Sequence, residues 1–304
     1  MGHHRKTRGQ VFHMRVIVHC GAHHTEEDRL LKCLLQNKED LASRRVSVPG
    51  PGRYRPLLKD TFIAMDAAEP APGARDVLVD AILDEEDATR MILSNSHFFG
   101  SPRFALNDGQ LYPLATRRLR QFKRLFEGDQ IELFMAVCNP ATFLPNLLSK
   151  ASNLQQREIL EANEPRYLRW TELFQRIRHI VPDVPITVWC NEDSPLIWGD
   201  LIRRIAGFKP GEQVVGGFDL LRDIMSVEGM QRFRAYLSDR PTLSDAQKRK
   251  VTAAFLSKYA LDEALEEELD LPGWTDELVA ELTEIYENDV AQLQRIEGLR
   301  FIGA

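Results

Sequence analysis

Short strand-like runs at residues 15–20, 45–48, 90–94, 131–137 and 185–190 are separated by stretches long enough for a helix and patterned like one. Most of these runs are apolar at consecutive positions rather than alternate ones, which is how a strand covered on both faces reads. Each needs a crossover before the next parallel neighbour, and the crossover helix then covers the sheet. The order therefore predicts an α/β fold, a three-layer sandwich with a central parallel sheet. A chain of 304 residues holds one such domain together with a helical addition.

The first unit carries the sharpest functional signal. Strand 15–20 runs into a polar turn, Gly21-Ala22-His23-His24-Thr25, and then into a helix with Leu30, Leu31, Leu34 and Leu35 on one face. A turn of this kind presents unpaired backbone N–H groups and the positive end of a helix dipole, so the geometry predicts an anion site. Glu26, Glu27 and Asp28 are expected in the first helical turn. There each would stabilise the helix by about 0.3–1 kcal/mol while competing with a bound phosphate.

Other runs also stop on polar edges, where open α/β sheets place their chemistry. Run 90–94 ends in Ser94-Asn95-Ser96-His97, run 131–137 in Cys138-Asn139-Pro140, and run 185–190 leads into Glu192 and Asp193. Helices are predicted near 53–66, 75–86, 113–127, from 141, and over 165–180. Beyond Gly207 the pattern predicts helices only, at 219–237, 243–269 and 275–297, with Glu263 to Asp270 as a solvated acidic face. The expected organisation is a disordered extension at 1–13 before a natural start at Met14, an α/β domain at 14–207, and a helical region at 208–304 packed on it. The core is expected to include Val16, Ile17, Val18, Leu30, Leu34, Ile92, Leu93, Ile131, Leu133, Met135 and Val188.

Charge and composition narrow the function. With 39 basic and 45 acidic residues the formal net charge is -6, which argues against non-specific nucleic-acid binding. No apolar run reaches the roughly 18 residues of a membrane span, and the first residues lack the apolar stretch of a signal peptide, so the chain reads as cytoplasmic. Cys20, Cys33, Cys138 and Cys190 show no paired spacing and are expected as reduced, mostly buried thiols.

The turn lacks the second glycine and the lysine of a Walker loop, which disfavours an ATPase or GTPase. Strand RVIVHCGAH with its turn instead resembles the opening of the sulfotransferase family, G-x-x-K-[TS]-[GA]-[TS]-[TS]. That resemblance implies a P-loop-like fold and places the 5'-phosphosulfate of 3'-phosphoadenylyl sulfate (PAPS) against Gly21, Ala22, His23, His24 and Thr25. The segment ILSNSHFFG resembles the strand that ends in Ser-x-Glu in sulfotransferases of bacterial polysaccharide type, and FMAVCNPATFLPNLL resembles the 3'-phosphate segment R-[DN]-P-x-x-x-x-x-S. On this alignment the family's lysine, glutamate and arginine are replaced by His24, Ser96 and Cys138, and Asn146 stands for the serine. Sulfonate transfer to a hydroxyl of a carbohydrate or small-molecule acceptor would then fall to His97 as base beside Ser96, with Cys138 and Asn146 at the 3'-phosphate.

Two alternatives stay open. The same fold without catalysis would make a pseudoenzyme, a binding or scaffolding protein that presents its acidic turn to a protein partner. Metal-assisted chemistry would use His19, Cys20, His23 and His24, although strand alternation sets His19 and Cys20 on opposite faces. Glu192 and Asp193 are either cleft groups or, with Ser194 and Pro195, a helix start. Arg103, Arg117 and Arg118 are either anion ligands or solvated helix residues.

Overall fold

A computed structural model describes residues 14–26, 28–84, 87–261, 263 and 271–304. Six parallel strands form its central sheet: β1 (Arg15–His19), β2 (Val46–Ser47), β3 (Arg90–Ser94), β6 (Gln130–Val137), β7 (Ile186–Cys190) and β8 (Leu299–Ile302). They lie in the order β2-β3-β1-β6-β7-β8. A separate hairpin pairs β4 (Leu106–Asn107) with β5 (Gln110–Leu111). The fold is thus α/β with a six-stranded parallel sheet, as the alternation of runs predicts.

Alternation along each strand divides the core in two. Val16 and Val18 of β1 share one face with Met91, Leu93, Ile131, Leu133, Met135 and Val188, while Ile17, Ile92, Phe134 and Trp189 face the other way. The first face is covered by α3 (Pro51–Met65), α4 (Ala74–Ile82), α5 (Ala115–Leu125), α6 (Pro140–Leu148), α8 (Trp170–Ile180) and α13 (Asp276–Leu293). The second is covered by α1 (Arg29–Gln36), α2 (Lys38–Ser43), α9 (Ser194–Ala206) and α10 (Asp219–Ile224). Every expected core residue is buried, and Cys20, Cys33, Cys138 and Cys190 are thiols outside any disulfide.

Several boundaries differ from expectation. The region after Gly207 is not helical throughout, because β8 adds a sixth strand beside β7. Its short stretch LRFI has only four residues, with an exposed arginine among three apolar ones, too short a run to mark a strand by itself. The expected helix at 219–237 is two helices, α10 and α11 (Val227–Ser238), broken where Met225 bridges Ala260. Helix α12 (Asp245–Tyr259) follows, and α7 (Asn153–Ala162) is a helix with no expectation behind it. The extension 1–13, Glu27 and most of the acidic run from Glu263 to Asp270 lie outside the described residues. Among the described residues no helix is long and apolar enough to cross a membrane.

Candidate functional site

The carboxyl edges of β1, β3 and β6 meet at the turn that follows β1. Cys20 N–H donates to Phe134 O at 3.0 Å and Ala22 N–H to Ala136 O at 3.3 Å, so the β1–β6 ladder continues into the turn. Helix α1 starts only at Arg29. This corrects the placement of Glu26 and Asp28 in a first helical turn, because both side chains are drawn elsewhere.

Glu26 turns inward. Its Oε1 accepts from His19 Nε2, and His19 Nδ1 lies 2.9 Å from Ser94 Oγ. His19 also stacks on Trp189, with ring centroids 5.9 Å apart. Glu26, His19 and Ser94 are 3%, 2% and 1% exposed, and Glu26 Oε2 has no hydrogen-bond partner. The order serine–histidine–carboxylate is that of a nucleophilic triad. With a serine closed to solvent it cannot meet a substrate, so its work here is to fasten the turn to β1 and β3. Gly21 makes that possible: a Cβ on it would stand 3.0 Å from Glu26 Oε1 and 3.3 Å from His19 Nε2.

His23 points to the other side of the turn. The Tyr112 hydroxyl accepts from His23 N–H at 2.8 Å and lies 2.9 Å from Nδ1, within hydrogen-bond reach of the ring. His23 Nε2 is buried without a hydrogen-bond partner. Burial is the main force lowering the His23 pKa to about 4, with His97 and His24 adding smaller repulsion. His97 stands with its ring centroid 5.2 Å from that of His23 and is exposed. Desolvation first, and then the nearby Arg55 cation, hold its pKa below the ordinary value. His97 is therefore neutral at pH 7 and competent to accept a proton.

Arg55 closes the mouth. It pairs with Asp28 through contacts of 2.5 and 3.3 Å and donates to Ser94 O at 2.9 and 3.1 Å. Tyr54 OH donates to the same carbonyl at 2.5 Å. Asp28 is thus spent on Arg55, which holds its carboxyl below the usual range.

The structure brings the rings of His23 and His97 together. Ala22 is buried, His24 is exposed with a left-handed φ of 58°, and Thr25 Oγ1 donates to Ala22 O at 2.7 Å. Ser96 is half-buried in the turn that Asn95 Oδ1 makes by accepting His97 N–H at 3.0 Å. Cys138 is buried at the end of β6, and Asn146 lies in the second turn of α6. His19 and Cys20 belong to opposite faces of the sheet, and no group of three or more His, Cys, Asp or Glu able to hold a metal comes together among the described residues.

Arg117 and Arg118 reach Asp66 at 2.6 and 3.7 Å, and Arg103 lies over Phe104. Helix α9 starts at Ser194 with Pro195 in its first turn, as expected, but neither Asp193 nor Ser194 supplies a side-chain cap. Glu192 accepts instead from Asn139 N–H at 2.7 Å and Tyr286 OH at 3.0 Å, tying β7 to β6 and α13.

Sequence reasoning missed Tyr112, Tyr54 and Arg55, and it missed the inward turn of Glu26. Only Tyr112 had a local marker, since it follows the Asp108-Gly109 hairpin turn, whose φ values are 51° and 71°.

A phosphosulfate placed in this turn would meet the Glu26 carboxylate where the family sets small and hydroxyl residues. The amides of Cys20, Ala22 and His23 are already engaged, and Cys138 supplies a buried thiol in place of a guanidinium. The donor set is a poor match to PAPS. No protein-family profile matches the chain, and no curated protein matches it significantly.

Proposed function

We propose that this is a sulfotransferase-like protein that binds rather than transfers: a pseudoenzyme whose donor side is closed and whose acceptor side is retained. The observation that carries this reading is the Glu26 carboxylate, buried against His19 inside the turn that would have to accept a phosphosulfate. The half-buried or exposed polar ledge of Asn95, Ser96 and His97, bordered by the Arg55–Asp28 pair, suits the hydroxyls of a carbohydrate or small polar acceptor. Calorimetric titration with 3',5'-adenosine bisphosphate tests it. No heat at millimolar ligand is expected, and micromolar binding would overturn the reading.

One observation favours a second reading. His97 is exposed and neutral near pH 7, as a general base for an acceptor hydroxyl must be. In that reading the protein is a PAPS-dependent transferase, and His97→Ala abolishes turnover of a carbohydrate acceptor.

A further inference from the structure

At the opposite, amino edge of the sheet lies an open cavity of about 700 Å³, framed by the starts of β1, β6, β7 and β8 and by the last turns of α5. Its volume is that of a small-molecule site, which typically spans roughly 300–1,000 Å³. Phe126, Ile131, Val184 and Pro185 give it an apolar floor.

The charges around that floor do not cancel. Asp129 is held by Arg75 through two hydrogen bonds of 2.7 and 2.8 Å, from a cation outside the cavity wall. Asp183 is taken by Lys123, and Glu127 by Arg124 at 2.7 Å. Glu132 lies between Arg15 at 3.6 Å and Arg90 at 4.0 Å. Every wall carboxylate thus has a cation. Arg120 from α5 and Arg300 from β8 are exposed, line the cavity and have no ion-pair partner among the described residues. A surplus of positive charge over an apolar floor, in a chain of net charge -6, is a local arrangement rather than a property of the whole surface.

We infer that this cavity binds an amphipathic organic anion, a compact apolar body carrying one oxyanion group, with Arg120 and Arg300 as its charge partners. The inference is independent of the carboxyl-edge reading above, since no residue is shared.

The probe is 8-anilinonaphthalene-1-sulfonate, followed by its fluorescence on the full folded chain. One saturable site of micromolar affinity is expected. R120E/R300E weakens it at least about tenfold, roughly the effect of losing one or two partly exposed charge contacts. The milder R120Q/R300Q moves affinity in the same direction, and both variants keep the parent's thermal midpoint because the two side chains are exposed. The uncharged N-phenyl-1-naphthylamine binds at least about tenfold more weakly, as loss of the oxyanion demands. Absence of saturable binding overturns the inference. So does binding that R120E/R300E and R120Q/R300Q leave unchanged, which would put the dye on another apolar surface.

Discussion

His19 Nε2 and Glu26 Oε1 are in contact across seven residues of chain, with neither side chain reaching solvent. The turn between them is therefore closed by its own side chains, and the pair should behave as a unit. Removing His19 alone, as His19→Leu, leaves a buried carboxylate without its donor and is expected to cost about 3–5 kcal/mol. The double variant His19→Leu/Glu26→Leu recovers much of that loss. Urea unfolding of the four members of the cycle measures the coupling, and simple additivity would show the contact to be energetically idle.

Gly21→Ala tests the same contact from the backbone side. The added Cβ lands 3.0 Å from Glu26 Oε1 and 3.2 Å from Thr25 Oγ1, and both oxygens are fixed by other bonds, the first accepting from His19 and the second donating to Ala22 O. A loss of about 1–3 kcal/mol is expected, the usual cost of forcing extra volume into a packed site. A thermal midpoint equal to the parent's would mean that the turn relaxes freely.

The buried His23 gives the protein an acid-side stability loss. Its folded pKa is about 4 against an ordinary 6.5, so below pH 6.5 the unfolded chain binds a proton that the folded chain refuses. Stability falls as pH drops from 6.5 toward 4 and levels below that, by about 3 kcal/mol from this group alone. The stability–pH slope of His23→Gln between pH 7 and pH 4.5 should be shallower than the parent's. Parallel slopes would remove His23 as the cause.

Arg55 is a control on His97. Desolvation is the larger cause of the lowered His97 pKa, and the Arg55 charge is the next. Arg55→Met should raise the His97 pKa toward its ordinary value without restoring it fully, because the desolvation remains. Proton-detected titration of the imidazole reads this directly, and a downward or absent shift would contradict the assignment.

Much of the fold was legible because β1, β3, β6 and β7 are apolar on both faces, a signal carried within each strand. Strand β8 was not, since LRFI becomes a strand only through its pairing with β7. Of the site, His23 and His97 could be named from their positions after strands, whereas Glu26 could not be read correctly. An acidic residue after a strand looks like the start of a helix, and only the arrival of His19 and Ser94 on neighbouring strands draws it inward. Arg55 and Tyr54 come from α3, far along the chain, and no local pattern connects them to Ser94.

The carboxylate lodged beside Gly21 also sets how this sequence can change. Glu26→Ser moves the turn toward a phosphate-holding loop but orphans His19, and a lysine at 24 alone leaves the Glu26 carboxylate inside the turn. The step at 26 is unfavourable until position 19 has changed as well, because the two residues are in contact and coupled. The turn is locked in sequence space: reaching a phosphate-holding loop requires position 19 to change together with 26.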